Sequence, residues 1–394
     1  MAIKQAELNL RFLVEELDLP ESAYEKAQKR YEDLGEWFNR DNSLLNYNSV
    51  HIFPQGSFML GTAIRPVEKD DEYDLDLVCK LREGISKNSH TQKEIKELIG
   101  AELEAYRKAR GIQTRLDEKH RCWCLEYKDN ISFHLDIVPA IPADELKKTQ
   151  LYELINNTDI ENEVAENASS SAISITDNRD SNYNEISSEW NISNPEGYGL
   201  WFAKEMRTKG ERTLLEKARV DELPIHERKT PLQRCVQLLK RHRDIMFKEN
   251  PDSKPISIII STLAARAYTR ELDIASALNN ILKKMESMIN STTPRVPNPV
   301  NPQEDFTDKW EMSEYKHLRL EDNFKIWLKQ AQKDFRIITE SRDASELNKT
   351  FEKKFEINTD DKTLRESLGL ANRETKKDKP KEHDIENPPK PWKL

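Results

Sequence analysis

The stretch that most constrains this chain is Pro54 to Val78, PQGSFMLGTAIRPVEKDDEYDLDLV. Its end, D-L-D-L-V, alternates charge and apolarity at the period of a strand, so Asp74 and Asp76 share one face while Leu75 and Leu77 turn to a core. Two carboxylates held that close point to a site rather than to ordinary surface charge. About eighteen residues earlier stands Gly56-Ser57. The glycine permits a tight turn with close backbone approach to a ligand, and the serine hydroxyl adds a donor for a phosphate oxygen. Asp70 and Asp71, between the two, read as a solvated turn.

The rest of the chain is read around that stretch. Periodicity predicts helices over Ala2 to about Glu16 and from Pro20-Glu21 to near Asn42, then an extended piece from Ser49 to Phe53. A helix over Thr91 to Arg110 buries Ile95, Leu98, Ile99, Leu103 and Tyr106. Strands over Arg121 to Tyr127 and Ile131 to Val138, joined by Lys128-Asp129-Asn130, read as a hairpin. On its second strand Phe133, Leu135 and Ile137 share the apolar face, which leaves a third acid, Asp136, on the other face.

Asn156 to Glu189 is rich in Asn, Ser, Asp and Glu and reads as a long loop with one β-like piece at Ala172 to Thr176. NPEGYGLWF follows, a turn whose aromatics pack a helix onto a domain junction. Between Lys204 and Arg243 twelve Lys or Arg stand against six Asp or Glu. Within that span a helix opens on Thr230 and Pro231, with Leu232, Val236 and Leu239 as its stripe and Lys240 beside it. Pro255 to Tyr268, apolar nearly all round, predicts the buried centre of a helical lobe. Helices follow from about Asp273 to Met288 and from Leu320 to Ser341, with a Pro- and Asn-rich loop between them. The charged tail from Asn372 to Leu394 has no periodicity.

The 394 residues suffice for two packed domains, and the net charge of -9 excludes a chain held to duplex DNA by a general basic excess. Any nucleotide binding is therefore local. With ten glycines, and neither a Walker-type loop nor a dinucleotide fingerprint, nucleotide binding by those folds is disfavoured. The four cysteines make no disulfide framework, and Cys122 and Cys124, a C-x-C without His or Cys at zinc spacing, read as small buried residues on one strand face. A reducing cytoplasm is expected, with neither a signal sequence nor a membrane span.

Three carboxylates from Asp74, Asp76 and Asp136 form a hard oxygen set suited to Mg²⁺ or Mn²⁺. Two such ions roughly 3.5–4 Å apart clamp a triphosphate and an attacking hydroxyl for in-line displacement. The reaction class is nucleotidyl transfer with release of pyrophosphate. A template-independent enzyme making linear oligonucleotides or extending RNA uses the same core, and a nucleotide-binding scaffold without turnover is the non-enzymatic alternative.

PQGSFMLGTAIRP…DDEYDLDLV, together with HLDIVPAIP, NPEGYGLWF, QRCVQLLKRHRD and PNPVNPQEDF, resembles the nucleotidyltransferases with a DNA polymerase β-like core. The likeness is greatest to the bacterial CD-NTases of anti-phage CBASS systems, and it runs from about Tyr47 to Trp327. It implies an α+β fold: a mixed-sheet catalytic lobe with the N-terminal helices (residues 1–195), a helical lobe like that of oligoadenylate synthetases (196–371) and a tail (372–394). It implies catalysis and Mg²⁺ binding by Asp74, Asp76 and Asp136, and nucleotide binding by Gln55, Gly56, Ser57, Lys240 and Ser257. ATP, GTP, CTP or UTP would be joined into a cyclic di- or trinucleotide that acts on a separate effector. Regulatory partner proteins are known in the family. The end of this chain, PPKPWKL, lacks the small terminal residue that ubiquitin-like linkage to a partner would use.

Overall fold

In this computed structural model residues 2–68, 71–128, 131–207 and 229–370 are described. Asp70, the 129–130 turn, the middle of the basic segment after Lys204 and the tail from Asn372 lie outside them. Two helices lead, α1 (Ala2–Leu17) and α2 (Glu21–Phe38). Strand β1 (Val50–Pro54) runs into a single helical turn, α3 (Gly56–Met59), and then β2 (Tyr73–Leu81). Next come α4 (Gln92–Ala109), β3 (Asp117–Glu118), β4 (Trp123–Tyr127) and β5 (Phe133–Pro142). Thr91 and Glu94 close a reciprocal capping box on α4, and the helix starts beside the Thr91 that the sequence reading gave as its first residue.

The sheet runs β1-β2-β5-β4-β3. Strands β2 and β5 are parallel, with Asp74 opposite His134 and Asp76 opposite Asp136, whereas β4 and β5 are the expected antiparallel pair. One face of the sheet packs Leu75, Leu77, Leu135 and Ile137 against α2 and α4, through residues such as Ala27, Leu34, Ile99 and Leu103. The opposite face carries the acids at one end and a small cluster of Phe53, Val78, Ala140, Ile173 and Ile175 at the other. That parity frees three carboxylates on an open face while their neighbours anchor the strands.

The span expected as a loop from Asn156 to Glu189 is more ordered than that. After α5 (Glu145–Asn156), which the sequence reading passed over, it forms α6 (Asn162–Ser171) and β6 (Ile173–Ile175). Strand β6 pairs with the far end of β5 and with β7 (Asn191–Ser193). Helix α6 escapes a periodicity search because the residues it buries are Ala165, Ala168 and Ser169, small side chains in a polar run. Asn194 ties it down: its amide donates to the Ala168 carbonyl at 2.8 Å, and its oxygen accepts from Gly197 N–H at 3.0 Å, capping α7 (Pro195–Met206).

The helical part continues with α8 (Pro231–Met246), α9 (Ser257–Ala267), α10 (Ile274–Lys284) and a β8–β9 hairpin (Pro297–Asn298, Asn301–Asp305). The hairpin replaces the irregular loop expected there. It is followed by α11 (Leu320–Glu340), α12 (Ala344–Phe355) and α13 (Asp361–Ser367), the last two unforeseen. Helix α1, assigned from sequence to the catalytic lobe, buries Leu10, Leu13, Val14 and Leu17 in the same core as α8 to α11. Its stripe is matched by helices rather than by the sheet. No helix among the described residues is long and apolar enough to cross a membrane.

Candidate active site

Asp74 lies at the solvent-exposed mouth of the acid face and Asp76 deeper, half-buried. The Gly56 backbone presses on Asp76 from above. A Cβ there would lie 2.2 Å from Asp76 Oδ2, and the φ of +61° is a left-handed conformation, so both space and backbone demand glycine. The neighbouring Gln55 N–H donates to the Asp76 carbonyl at 2.8 Å, stitching the turn to β2. Ser57 lines the cleft that opens above Asp74.

Asp136 arrives on β5. Carboxylate oxygens of Asp74 and Asp136 and a ring nitrogen of His134 all lie within 4.8 Å of one another. The crowding has an electrostatic cost. Burial, then the charges of Asp74 and Asp136, push the Asp76 carboxyl up to about 7, and the protein packed around Asp74 together with Asp136 raises that group too. His134 is the counter-charge: its Nε2 lies 2.9 Å from Asp136 Oδ1, and that bond, with one to the Cys124 sulfur, lifts the imidazole to about 11. Carboxylates forced together with a shortage of partners suit a hard divalent cation, so the donor set fits one.

Across the cleft stands α8. Gln233, Gln237, Lys240 and Arg241 fall on one helical face. They donate to carbonyls of the segment after α3: Gln233 to Leu60 at 2.9 Å, Gln237 to Ala63 at 2.7 Å, Lys240 to Thr62 at 3.0 Å and Arg241 to Arg65 at 2.7 Å. Gln233 also closes the α8 capping box with Thr230. Lys240 is buried, which, together with nearby Arg243, pushes its ammonium down to about 8 against the pull of Asp74 and Asp76. Arg243 donates to Ser257 Oγ at 2.9 Å and to the Pro255 carbonyl, fixing the start of α9.

The cleft between these walls has a volume of about 700 Å³, with Ser57, Asp74, Lys240, Arg243, Lys254 and Ser257 among its lining. A second cavity of about 1200 Å³, with Arg121, Asn191, Asn301, Gln303 and Phe306 on its walls, shares Ile256 with the first. The structure thus brings Ser57, Asp74, Lys240 and Ser257 onto one cleft, with Gly56, Asp76 and Asp136 beneath or beside it, while Gln55 contributes its backbone. Gln233, Gln237, Arg241, Arg243 and His134 were missed. The i, i+4, i+8 spacing of Gln233, Gln237 and Arg241 on a buried helix was the available signal, and H-L-D placed His134 on the acid face.

A mixed sheet presenting acids beside a glycine-serine turn, faced by a basic helix, is the arrangement of a metal-dependent nucleotidyltransferase. The model of the family described as "Cyclic GMP-AMP synthase DncV-like, nucleotidyltransferase domain" matches residues 50–139. A c-di-GMP synthase of Roseivirga ehrenbergii is 32% identical over 315 residues, covering 78% of this chain and 73% of the relative. The cyclic dinucleotide synthase CdnG of Bradyrhizobium diazoefficiens is 25% identical over 320 residues, covering 76% of this chain and 68% of the relative. Its structure in complex with GTP superposes with a TM-score of 0.62 at 21% identity, over 93% of this chain and 98% of that one. The E. coli CdnC, solved with HORMA, gives 0.53 at 14% identity over 88% and 95%. The chain belongs to the CD-NTases, the DncV-like nucleotidyltransferases.

Proposed function

We propose that this enzyme joins nucleoside triphosphates into a cyclic dinucleotide, with GTP the substrate and cyclic di-GMP the product to test first. The observation that carries the reading is one cleft with Asp74 on one wall and Lys240, Arg243 and Lys254 on the other. A triphosphate needs the second wall and the reacting α-phosphate needs the first. Ser57 and the Gly56 turn hold the terminal phosphates of the donor, and Lys240 and Lys254 neutralise them. Arg243 keeps Ser257 in place at the same phosphates.

Asp74, Asp76 and Asp136 hold the metal, two Mg²⁺ or Mn²⁺ ions in this reading, which supply Lewis-acid stabilisation of the phosphate charge. The acceptor's 3′ or 2′ oxygen bonds to the α-phosphorus, the α–β P–O bond breaks, and pyrophosphate leaves. Asp136 helps take the proton of the attacking hydroxyl. A second round on the linear intermediate closes the ring. The second cavity, adjoining at Ile256, supports a place for the acceptor nucleotide. The two lobes follow the cleft: the sheet holds the acids, and α7 to α13 with α1 form the helical side.

The product acts on a separate effector in anti-phage defence, within the cytoplasm, and the CdnC complex with HORMA supports a regulatory partner protein. Incubation with GTP, ATP and Mg²⁺ is expected to release pyrophosphate and yield phosphatase-resistant products that mass spectrometry resolves. Asp74→Ala with Asp76→Ala abolishes them. Phosphatase-sensitive linear chains from the unmodified enzyme would instead favour a linear oligonucleotide synthase.

A further inference from the structure

The larger, second cavity is built around a carboxylate that never reaches the catalytic acids. Asp177, just past β6, lines it and is 2% exposed. It holds two guanidiniums. Arg179 donates Nε–H to Oδ1 at 3.2 Å and an Nη2–H to Oδ2 at 3.1 Å, and Arg121 donates Nε–H to Oδ2 at 2.7 Å. The Asp177 backbone is fixed as well, its N–H donating to the Gln92 side chain at 2.8 Å. Both arginines line the cavity with half-exposed side chains. Among the described residues no hydrogen bond engages Nη1 or Nη2 of Arg121, so its terminal fork is steered from one side and left open on the other.

Seven Asp or Glu stand against four Lys or Arg in the lining, a balance that repels a triphosphate and admits a neutral nucleobase. Most of those acids are spent or exposed. Asp305 accepts from the backbone of Arg295 and Val296 and from Thr307, Asp180 accepts from Gln92 and Asn191, and Glu153, Asp308 and Glu314 are exposed. Glu304 is half-buried, with Asn298 Nδ2 donating to its Oε2 at 2.7 Å, which orients the carboxylate and leaves lone pairs over. Burial raises its carboxyl, while that bond and the nearby Arg121 charge pull the other way. Ile256 and Met312, on the same lining, are exposed apolar residues against which a flat ring can pack.

We infer that this cavity selects guanine as the base of the acceptor nucleotide, through Arg121 steered by Asp177 and Glu304 steered by Asn298. Guanine presents acceptors at O6 and N7, which an arginine fork meets bidentately, and donors at N1 and N2, which a carboxylate accepts. Adenine turns its amine toward the fork and an unprotonated ring nitrogen toward the carboxylate, so both sets of bonds are lost and buried groups stay unpaired. The inference rests on the placement of the acceptor in this cavity proposed above.

The test is equilibrium titration of the full chain with guanosine monophosphate, which has no pyrophosphate to lose and so cannot act as a donor. Inosine monophosphate lacks the N2 amine, the 7-deaza analogue of guanosine monophosphate lacks N7, and adenosine monophosphate and inorganic phosphate complete the series. Guanosine monophosphate is expected to bind at least about tenfold tighter than each of the others. Arg121→Met, and Arg121→Lys, which keeps the charge but not the fork, should each bring the 7-deaza analogue level while the preference over inosine persists. Glu304→Gln should erase the preference over inosine and leave that over the 7-deaza analogue. Variants that weaken every ligand alike overturn the assignment of these residues. Equal or absent binding of the guanine and adenine nucleotides by the unmodified chain, or binding matched by phosphate alone, overturns the guanine site itself. Pyrophosphate release from GTP is read separately. Guanine preference without release leaves the site standing and removes nucleotidyl transfer, and release without preference does the reverse.

Discussion

The two walls of the cleft are built in opposite ways. On the acid wall, β2 and β5 place Asp74, Asp76 and Asp136 by strand alternation and parallel register, with leucines and isoleucines on the reverse face holding the strands still. On the basic wall, Lys240 belongs to a helix of the other core. Its position depends on side-chain amides and a guanidinium reaching backbone carbonyls between Leu60 and Arg65. The first wall is a product of local chain geometry and the second of docking. The acid wall should therefore fail by loss of chemistry, and the basic wall by loss of alignment and phosphate binding.

Among single substitutions the largest expected effect tests the acid wall. Gly56→Ala drives a methyl into the Asp76 carboxylate and forces a non-glycine residue to +61°. A fall in kcat of about a hundredfold is expected, with a stability loss of about 1–3 kcal/mol, read by pyrophosphate release and thermal unfolding. An unchanged kcat would show that the turn does not position Asp76. Lys240→Met tests the other wall. On the proposal that this residue binds phosphate rather than reacting, KM for the triphosphate should rise roughly tenfold to a hundredfold, about 1.4–2.8 kcal/mol of binding, with a smaller change in kcat. A drop confined to kcat would move Lys240 to the acid wall's category.

Gln237→Leu separates alignment from charge. It leaves the buried Ala63 carbonyl without its 2.7 Å donor, at a cost of about 1–3 kcal/mol. Tm should fall while the pH–rate profile keeps its shape. The smallest effect lies at the far side of α8, where His242 Nε2 meets Asp334 of α11 at 3.0 Å. Burial would raise the Asp334 carboxyl, but hydrogen bonds from His242, Gln330 and Lys354 outweigh it and hold the group at about 2. A depressed carboxylate stabilises the fold above its ordinary pKa of 3.8 and loses that contribution as pH falls toward 2. The loss amounts to about 2 kcal/mol. Asp334→Asn should flatten this limb of the stability–pH curve, and an identical limb would remove the pair from the helical core's support.

Legibility followed the same division. D-L-D, H-L-D and the Gly-Ser turn stood out because strand alternation is a two-residue rule that any window of the chain displays. Helix α8 was visible through Thr230, Pro231 and its stripe, yet Gln233, Gln237 and Arg241 were not. Their partners are carbonyls more than 170 residues earlier, and a carbonyl leaves no trace in a sequence. Helix α6 was hidden because alanines and a serine fill its buried face, and its support comes from Asn194. The place of α1 was hidden too, since an apolar stripe does not say which core it enters.

By itself the sequence determined the chemistry of the open sheet face: which carboxylates share it, why Gly56 precedes them, and why their neighbours are buried. Backbone periodicity carries that information over a few residues, so no distant contact was needed. Only the tertiary structure decided what faces those acids. It laid α8 along the Leu60–Arg65 carbonyls, brought Lys240 and Arg243 over Asp74, and set Cys124 against His134. Those placements arise from hydrogen bonds and burial between segments far apart in the chain, which become definite only when both cores have packed.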